Sequence, residues 1–262
     1  MIPRTVTILI LLVLLGSGCG APHRPPEPAQ ADQPVLPDEI PDLLHLAVSS
    51  FNPCGPAEGV ALSLTAAEAV LDRQQEHPMA NLHAARAAAW LLEFDESLDG
   101  AGRRELAGRG VEYAETALAT IGERVDTVFL CGALLGLQLE SARIPGPGKL
   151  GRVHEFFELA VDLDPSYDDG APLRALGTLL VKAPGWPAGP GDVEMGIELL
   201  SRAAWEHPGH PANHYFLGEA LFADGQPYEA ATSLQRVLDI CAKYSCEALC
   251  GKYAVKAEEM LR

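Results

Sequence analysis

Residues 170–242 constrain the fold more than any other stretch, because one helix-turn-helix pattern is written there twice in succession. Leu176-Gly177 with Leu180 opens the first copy, and Gly196, Leu200, Ala203 and Pro208 close it. Leu217-Gly218 with Leu221 opens the second, and Ala230, Leu234 and Val237 follow at matching offsets. A more diverged copy lies upstream, with Cys131-Gly132 and Leu135 in the places of Leu-Gly and Leu, and Val153, Phe157 and Ala160 before Pro165. A helical hairpin cannot bury its apolar stripe alone, so neighbouring copies stack into a solenoid. The expected fold is therefore all-α, a solenoid of stacked helical hairpins over residues 42–262, with the clearest repeats at 125–167, 170–210 and 211–244. A last helix, from about 246 to 261, reads as a C-terminal cap.

Apolar residues at helical spacing predict the other helices at 42–48, 58–76, 81–94, 103–121, 126–142 and 151–163. The 126–142 and 151–163 helices are separated by Ile144-Pro145-Gly146-Pro147-Gly148. Trp90, set among alanines that let helices approach closely, reads as a core anchor. Of 262 residues, 48% are hydrophobic and 21% charged, which fits a globular helical chain. With 19 basic and 36 acidic side chains the net charge is −17, so the summed field repels phosphate backbones, and nucleic acid is not an expected partner.

At the start, Arg4 precedes an apolar run over 6–15. Such a run is shorter than the about 20 residues a membrane span needs but suits the core of a secretory signal. Gly16-Ser17-Gly18-Cys19 resembles the lipobox of bacterial lipoproteins. That resemblance implies removal of residues 1–18, diacylation of Cys19 and anchoring in the cell envelope, facing the periplasm. Gly20 after the cysteine favours the outer membrane over the inner one. Residues 19–41, rich in proline, form a semi-rigid tether behind the anchor.

The Leu-Gly, Ala and Pro spacings resemble the tetratricopeptide repeat (TPR), most faithfully over 211–242. A narrower resemblance runs from Asp164-Pro165-Ser166-Tyr167-Asp168-Asp169-Gly170 through Leu176-Gly177 to Ala183-Pro184-Gly185-Trp186-Pro187-Ala188-Gly189-Pro190-Gly191-Asp192. It is similar to the T component of tripartite ATP-independent periplasmic (TRAP) transporters, which are periplasmic TPR-like lipoproteins. The resemblance implies a homo-oligomer that docks a solute-binding protein and can pass apolar ligands. A TPR adaptor in outer-membrane protein, pilus or peptidoglycan assembly is the alternative.

In stacked hairpins the first helix of each pair lines the concave side. The register of the three copies puts Asp126, Phe129, Arg174, Thr178, Tyr215, Glu219 and Phe222 there, a mixture of aromatics and both charges suited to a peptide, a helix or an apolar ligand. Trp186, in a glycine- and proline-rich insertion, is the further candidate, because such a loop does not spend a tryptophan on solvent. Besides Cys19 there are five cysteines, of which Cys131 occupies a helix core slot and reads as a buried thiol. Cys54, Cys241, Cys246 and Cys250 allow two disulfides in three connectivities. Cys246 and Cys250 lie one helical turn apart, poorly oriented for each other, so the expected bridge joins Cys241 to Cys250 or to Cys246.

Catalytic patterns are not expected. His154-Glu155-Phe156-Phe157-Glu158 has Glu158 where a zinc hydrolase helix needs its second histidine. Asp162, Asp164, Asp168, Asp169 and Gly170 do not form a calcium loop, since Tyr167 stands where glycine and Leu173 where an acid is required. Gly146-Pro147-Gly148-Lys149 runs into Leu150 and lacks the hydroxyl residue of a phosphate-binding loop. His207, His210 and His214 crowd one turn, the basis of a remote alternative, a metal-dependent hydrolase. No cofactor is expected.

Overall fold

Proline and glycine divide the chain into helices of similar length. Pro78, Pro211 and Pro227 each stand in a first helical turn, where the missing N–H removes no helical hydrogen bond. The computed structural model describes residues 35–141, 148–244 and 246–262. The signal segment 1–18, Cys19, the tether as far as residue 34 and most of the 144–148 interruption lie outside the described residues.

Among the described residues there are eleven helices: α1 (Ile40–Ser50), α2 (Ala57–Leu71), α3 (Pro78–Phe94), α4 (Gly100–Ile121), α5 (Val125–Ser141), α6 (Lys149–Leu163), α7 (Tyr167–Lys182), α8 (Val193–Glu206), α9 (Pro211–Ala223), α10 (Pro227–Cys241) and α11 (Glu247–Leu261). No described helix is long and apolar enough to cross a membrane. Consecutive helices pair as α1/α2, α3/α4, α5/α6, α7/α8 and α9/α10. The first members, α1, α3, α5, α7 and α9, also touch one another in sequence, whereas the second members pack only on the helices beside them in the chain. First members therefore form an inner layer and second members an outer one.

The repeat register is written in the helix crossings. A Cβ on Gly132, Gly177 or Gly218 would come within 2.7 Å of Phe157, 2.8 Å of Leu200 and 2.8 Å of Leu234 respectively. These are the residues that the sequence offsets pair. Apolar side chains fill the space between layers, including Leu134, Leu173, Leu200 and Leu234, all essentially buried.

A second repeated device sits at the start of inner helices. Asn213 is fully buried; its Nδ2 donates to the carbonyls of Asp169 (3.0 Å), Ala203 (3.2 Å) and His207 (3.2 Å), while its Oδ1 accepts from Arg174 Nη1 at 2.6 Å. Asn81 does the same work for the turn before α3, donating to Gln75 O at 2.9 Å and His77 O at 3.1 Å. At α5 the fully buried Thr127 hydroxyl donates to Gly122 O at 2.8 Å. Each residue adds a side-chain donor to carbonyls of the segment that precedes its helix.

Several boundaries differ from the sequence expectation: α2 ends at Leu71 rather than at 76, and α3 begins at Pro78 rather than at 81. Leu36 and Ile40 pack on Leu43, Val70 and Ala80, so the folded body begins at Leu36 and not at 42. Asp99 caps α4 by accepting from Gly102 N at 2.7 Å, which starts that helix three residues before 103. The first turn of α7 is not right-handed: Asp168, Asp169 and Gly170 have φ of 48°, 53° and 82°. A left-handed conformation costs a non-glycine residue roughly 1–2 kcal/mol, and the Asn213 bond to Asp169 O holds it in place.

Candidate partner groove and what occupies it

The inner layer should be the open, concave side of the solenoid. Here α11 lies against it. Tyr253, 3% exposed, stacks among Tyr215 (ring centroids 5.2 Å apart), Phe216 (5.7 Å) and Phe94 (6.4 Å), which come from α9 and α3. Its hydroxyl donates to Glu93 Oε1 at 3.1 Å. Beside it, Lys252 Nζ donates to the Glu93 carbonyl at 2.8 Å, pairs with the Glu93 carboxylate and sits 5.1 Å from the Phe94 ring centre. Lys256 lies over the Tyr215 ring. Burial, and then Glu93, push the Tyr253 pKa well above that of a free phenol, so the hydroxyl stays a donor.

Two disulfides fix this arrangement. Cys241–Cys250 joins the end of α10 to α11, with 5.4 Å between Cα atoms. Cys54–Cys246 joins the α1–α2 connection to the start of α11, with 4.5 Å between Cα atoms and a sequence separation of 192. Both fall on the four cysteines expected to pair, and Cys131 is free and buried. The final helix is thus not only a cap on the last repeat. It also reaches the first two hairpins and closes the solenoid on itself.

That closure changes the expected groove. The repeat register leaves Asp126 and Tyr215 open on it, but they are 6% and 5% exposed. Asp126 is paired with Arg124 at 2.9 Å, and Tyr215 is covered by α11. Burial, followed by Glu219, pushes the Tyr215 phenol up to about 12. Phe129 packs between Phe157 of its own hairpin (5.9 Å) and Tyr167 at the start of α7 (5.7 Å), as core. Arg174 and Thr178 are half-buried, Arg174 being held by Asn213 and Thr178 donating to Arg174 O at 2.7 Å. Glu219 pairs with Lys182 at 2.8 Å.

Phe222 and Trp186 do reach solvent, at 55% and 90% exposure. The Trp186 loop is built closely: Gly191 N donates to Pro184 O at 2.9 Å and Asp192 N to Leu180 O at 3.0 Å. A Cβ on Gly191 would meet Ala183 O at 2.1 Å, so only glycine closes this loop. Trp186 follows α7, Phe222 ends α9 and Tyr228, 86% exposed, begins α10. All three occupy the edge of the solenoid where inner helices hand over to outer ones. Sequence reasoning missed Tyr228, whose signal was an aromatic directly after a helix-opening proline. It also missed Glu93 and Lys252, which are 159 residues apart and carry no local signal.

The histidine turn has a packing role. Burial, with Arg174, His207 and His214 nearby, pushes the His210 pKa down to about 3. His207 Nδ1 lies 3.8 Å from Asp169 Oδ1, and His214 Nε2 lies 3.1 Å from Pro208 O. Among the described residues no three His, Cys, Asp or Glu side chains converge on one point.

Paired helices in two layers, glycine at each crossing and a repeating hairpin register define a TPR-like α-solenoid. Among solved structures the chain is similar to TTC0263, a thermophilic TPR protein of Thermus thermophilus, with 16% identity, a TM-score of 0.62, and coverage of 85% of this chain and 99% of that one. Lower similarity is found to YrrB, a TPR protein with an unusual peptide-binding site (16% identity, TM-score 0.48, 84% of this chain and 92% of that one). MamA gives 12% identity and a TM-score of 0.49 over 78% of this chain and 92% of that one. No protein-family profile matches the chain, and no curated protein sequence does.

Proposed function

We propose that this chain is a non-catalytic lipoprotein of the bacterial cell envelope that binds another protein. The carrying observation is the hydrogen-bonded loop that presents Trp186 almost wholly to solvent, on the same edge as Phe222 and Tyr228. An aromatic side chain has few torsions to order on binding, and interfaces draw much of their energy from such anchors. Two disulfides suit an oxidising compartment, consistent with the lipobox at Cys19 and a periplasm-facing location.

The partner we favour is the solute-binding protein of a TRAP-type transporter, because the loop that presents Trp186 is also the one that carries the resemblance to that T component. An adaptor in envelope assembly is the second reading, and homo-oligomerisation is compatible with either. Crosslinking in intact cells, detergent purification and mass spectrometry test both. Recovery of a periplasmic solute-binding protein, lost at least about tenfold with Trp186→Ala and Phe222→Ala, is the expected result. Recovery of barrel-insertion, secretin or cell-wall proteins would replace it with the adaptor reading, and stoichiometric metal lost on His210→Ala with His214→Ala would revive the hydrolase.

A further inference from the structure

We propose that the socket now filled by α11 is itself a helix-binding site, that its external ligand is an amphipathic helix of a partner protein presenting lysines on its contact face, and that α11 is a latch released when its two disulfides are reduced. The inference rests on the protein-binding reading above for the existence of a partner, but it concerns a different surface from the Trp186 edge.

The socket is made by inner-layer helices, which line the groove of any stack of hairpins. Its chemistry is legible in what α11 offers it. Glu93 takes a lysine and a tyrosine hydroxyl together; Phe94, Tyr215 and Phe216 surround the tyrosine ring; Tyr215 also meets a second lysine three residues further on. The small Ala257, fully buried one turn after Tyr253, lets the helix backbone settle closely. An external ligand would repeat this pattern of Lys-Tyr, a lysine three residues after the tyrosine and a small residue after that. Its lysines complement the Glu93 carboxylate and the aromatic faces of the socket.

Besides the bridges, α11 is held mainly through one patch, the Tyr253 and Lys252 contacts with Glu93, Phe94 and Tyr215. Only Tyr253 and Ala257 of its residues are buried, against seven in α9, so it belongs to the less stable end of the fold. Cys54 is half-buried while Cys246 is 1% exposed, so Cys54 is the more open residue of the pair. A dithiol reductant would attack there as thiolate; the Cys54–Cys246 bond breaks, Cys246 leaves as thiolate and takes up a proton. The reductant's second thiol then resolves the mixed disulfide, freeing the Cys54 thiol and leaving the reductant as a disulfide. Cys241–Cys250 follows by the same exchange, each pair receiving two electrons and two protons.

The test uses the full lipoprotein in detergent, oxidised and fully reduced by dithiothreitol, with free thiols counted. Hydrogen exchange in α11 should speed up at least about a hundredfold on reduction while α5 to α9 keep their protection. A labelled peptide of residues 247–261 carrying Cys250→Ser should bind the reduced protein at least about tenfold more tightly than the oxidised one. The same peptide with Lys252→Ala and Tyr253→Ala should not bind. Protein carrying Cys54→Ser, Cys246→Ser and Cys241→Ser should bind the peptide without reductant, and Glu93→Gln should weaken that binding without altering protection in α5 to α9. Retained protection of α11 after complete reduction overturns the proposal, as does loss of protection throughout the chain. A reduced dimer that exchanges α11 and ignores the peptide overturns it in favour of a second copy as occupant. If cellular partners are captured through Trp186 while α11 stays protected, the protein-binding reading stands and this one falls.

Discussion

Asn213 is where single-residue chemistry matters most for this fold. Four hydrogen bonds converge on a side chain with no solvent exposure, and three of their partners are carbonyls of other segments. Asn213→Ala should therefore cost about 2–4 kcal/mol, because it removes four hydrogen bonds of a buried side chain at once and leaves the Arg174 guanidinium without its 2.6 Å acceptor; urea unfolding would read it. His210 carries a pH dependence whose sign follows from its lowered pKa of about 3. The unfolded imidazole takes up a proton near pH 6.5 and the folded one does not until about pH 3, so stability falls on acidification through that window. His83 and His214, also lowered by burial, act in the same direction. Each pH unit there costs up to about 1.4 kcal/mol per fully shifted imidazole, and His210→Gln should flatten the slope measured between pH 6.5 and pH 4.

At the scale of the element, the α7/α8 pair shows both what a hairpin needs and how far its sequence reveals it. A Cβ on Gly177 would stand 2.8 Å from Leu200 Cγ and 2.9 Å from the Gly196 carbonyl. Gly177→Ala should then cost about 1–3 kcal/mol by forcing the helices apart, a shift visible in thermal unfolding. Gly151→Ala, with open space around its Cβ, should be neutral or slightly stabilising in the same assay. The crossing was legible because Leu176-Gly177 and Leu200 recur at fixed offsets in neighbouring copies. The left-handed turn at Asp168, Asp169 and Gly170 was not, although aspartate and glycine tolerate that region, since the Asn213 bond that holds it comes from 44 residues away. The Trp186 loop was legible in composition alone; that Gly191 is what lets the backbone close on Ala183 and Pro184 needed coordinates.

For the molecule as a whole, the decisive fact is closure. The cysteine pattern limited the bridges to a few pairings and brought Cys241 to Cys250 within the preferred choice, but the pairing of Cys54 with Cys246 depends on where a superhelix of five hairpins brings its ends. Glu93 and Lys252 stayed unreadable for the same reason. The chain-entropy account makes the two bridges unequal: about 5 kcal/mol for the 192-residue separation and about 3 kcal/mol for the separation of 9. Cys54→Ser should accordingly lower the melting temperature more than Cys241→Ser, in calorimetry under non-reducing conditions. Open solenoids gain and lose hairpins freely, since each copy touches only its neighbours. This one has no such freedom. Cys54 and Cys246 meet only when the intervening turns have the right number and pitch, and one added hairpin would displace α11 by about one helix-packing distance, roughly 10 Å. The bridge therefore acts as a length gauge, admitting a single repeat number where the rest of the architecture would permit many.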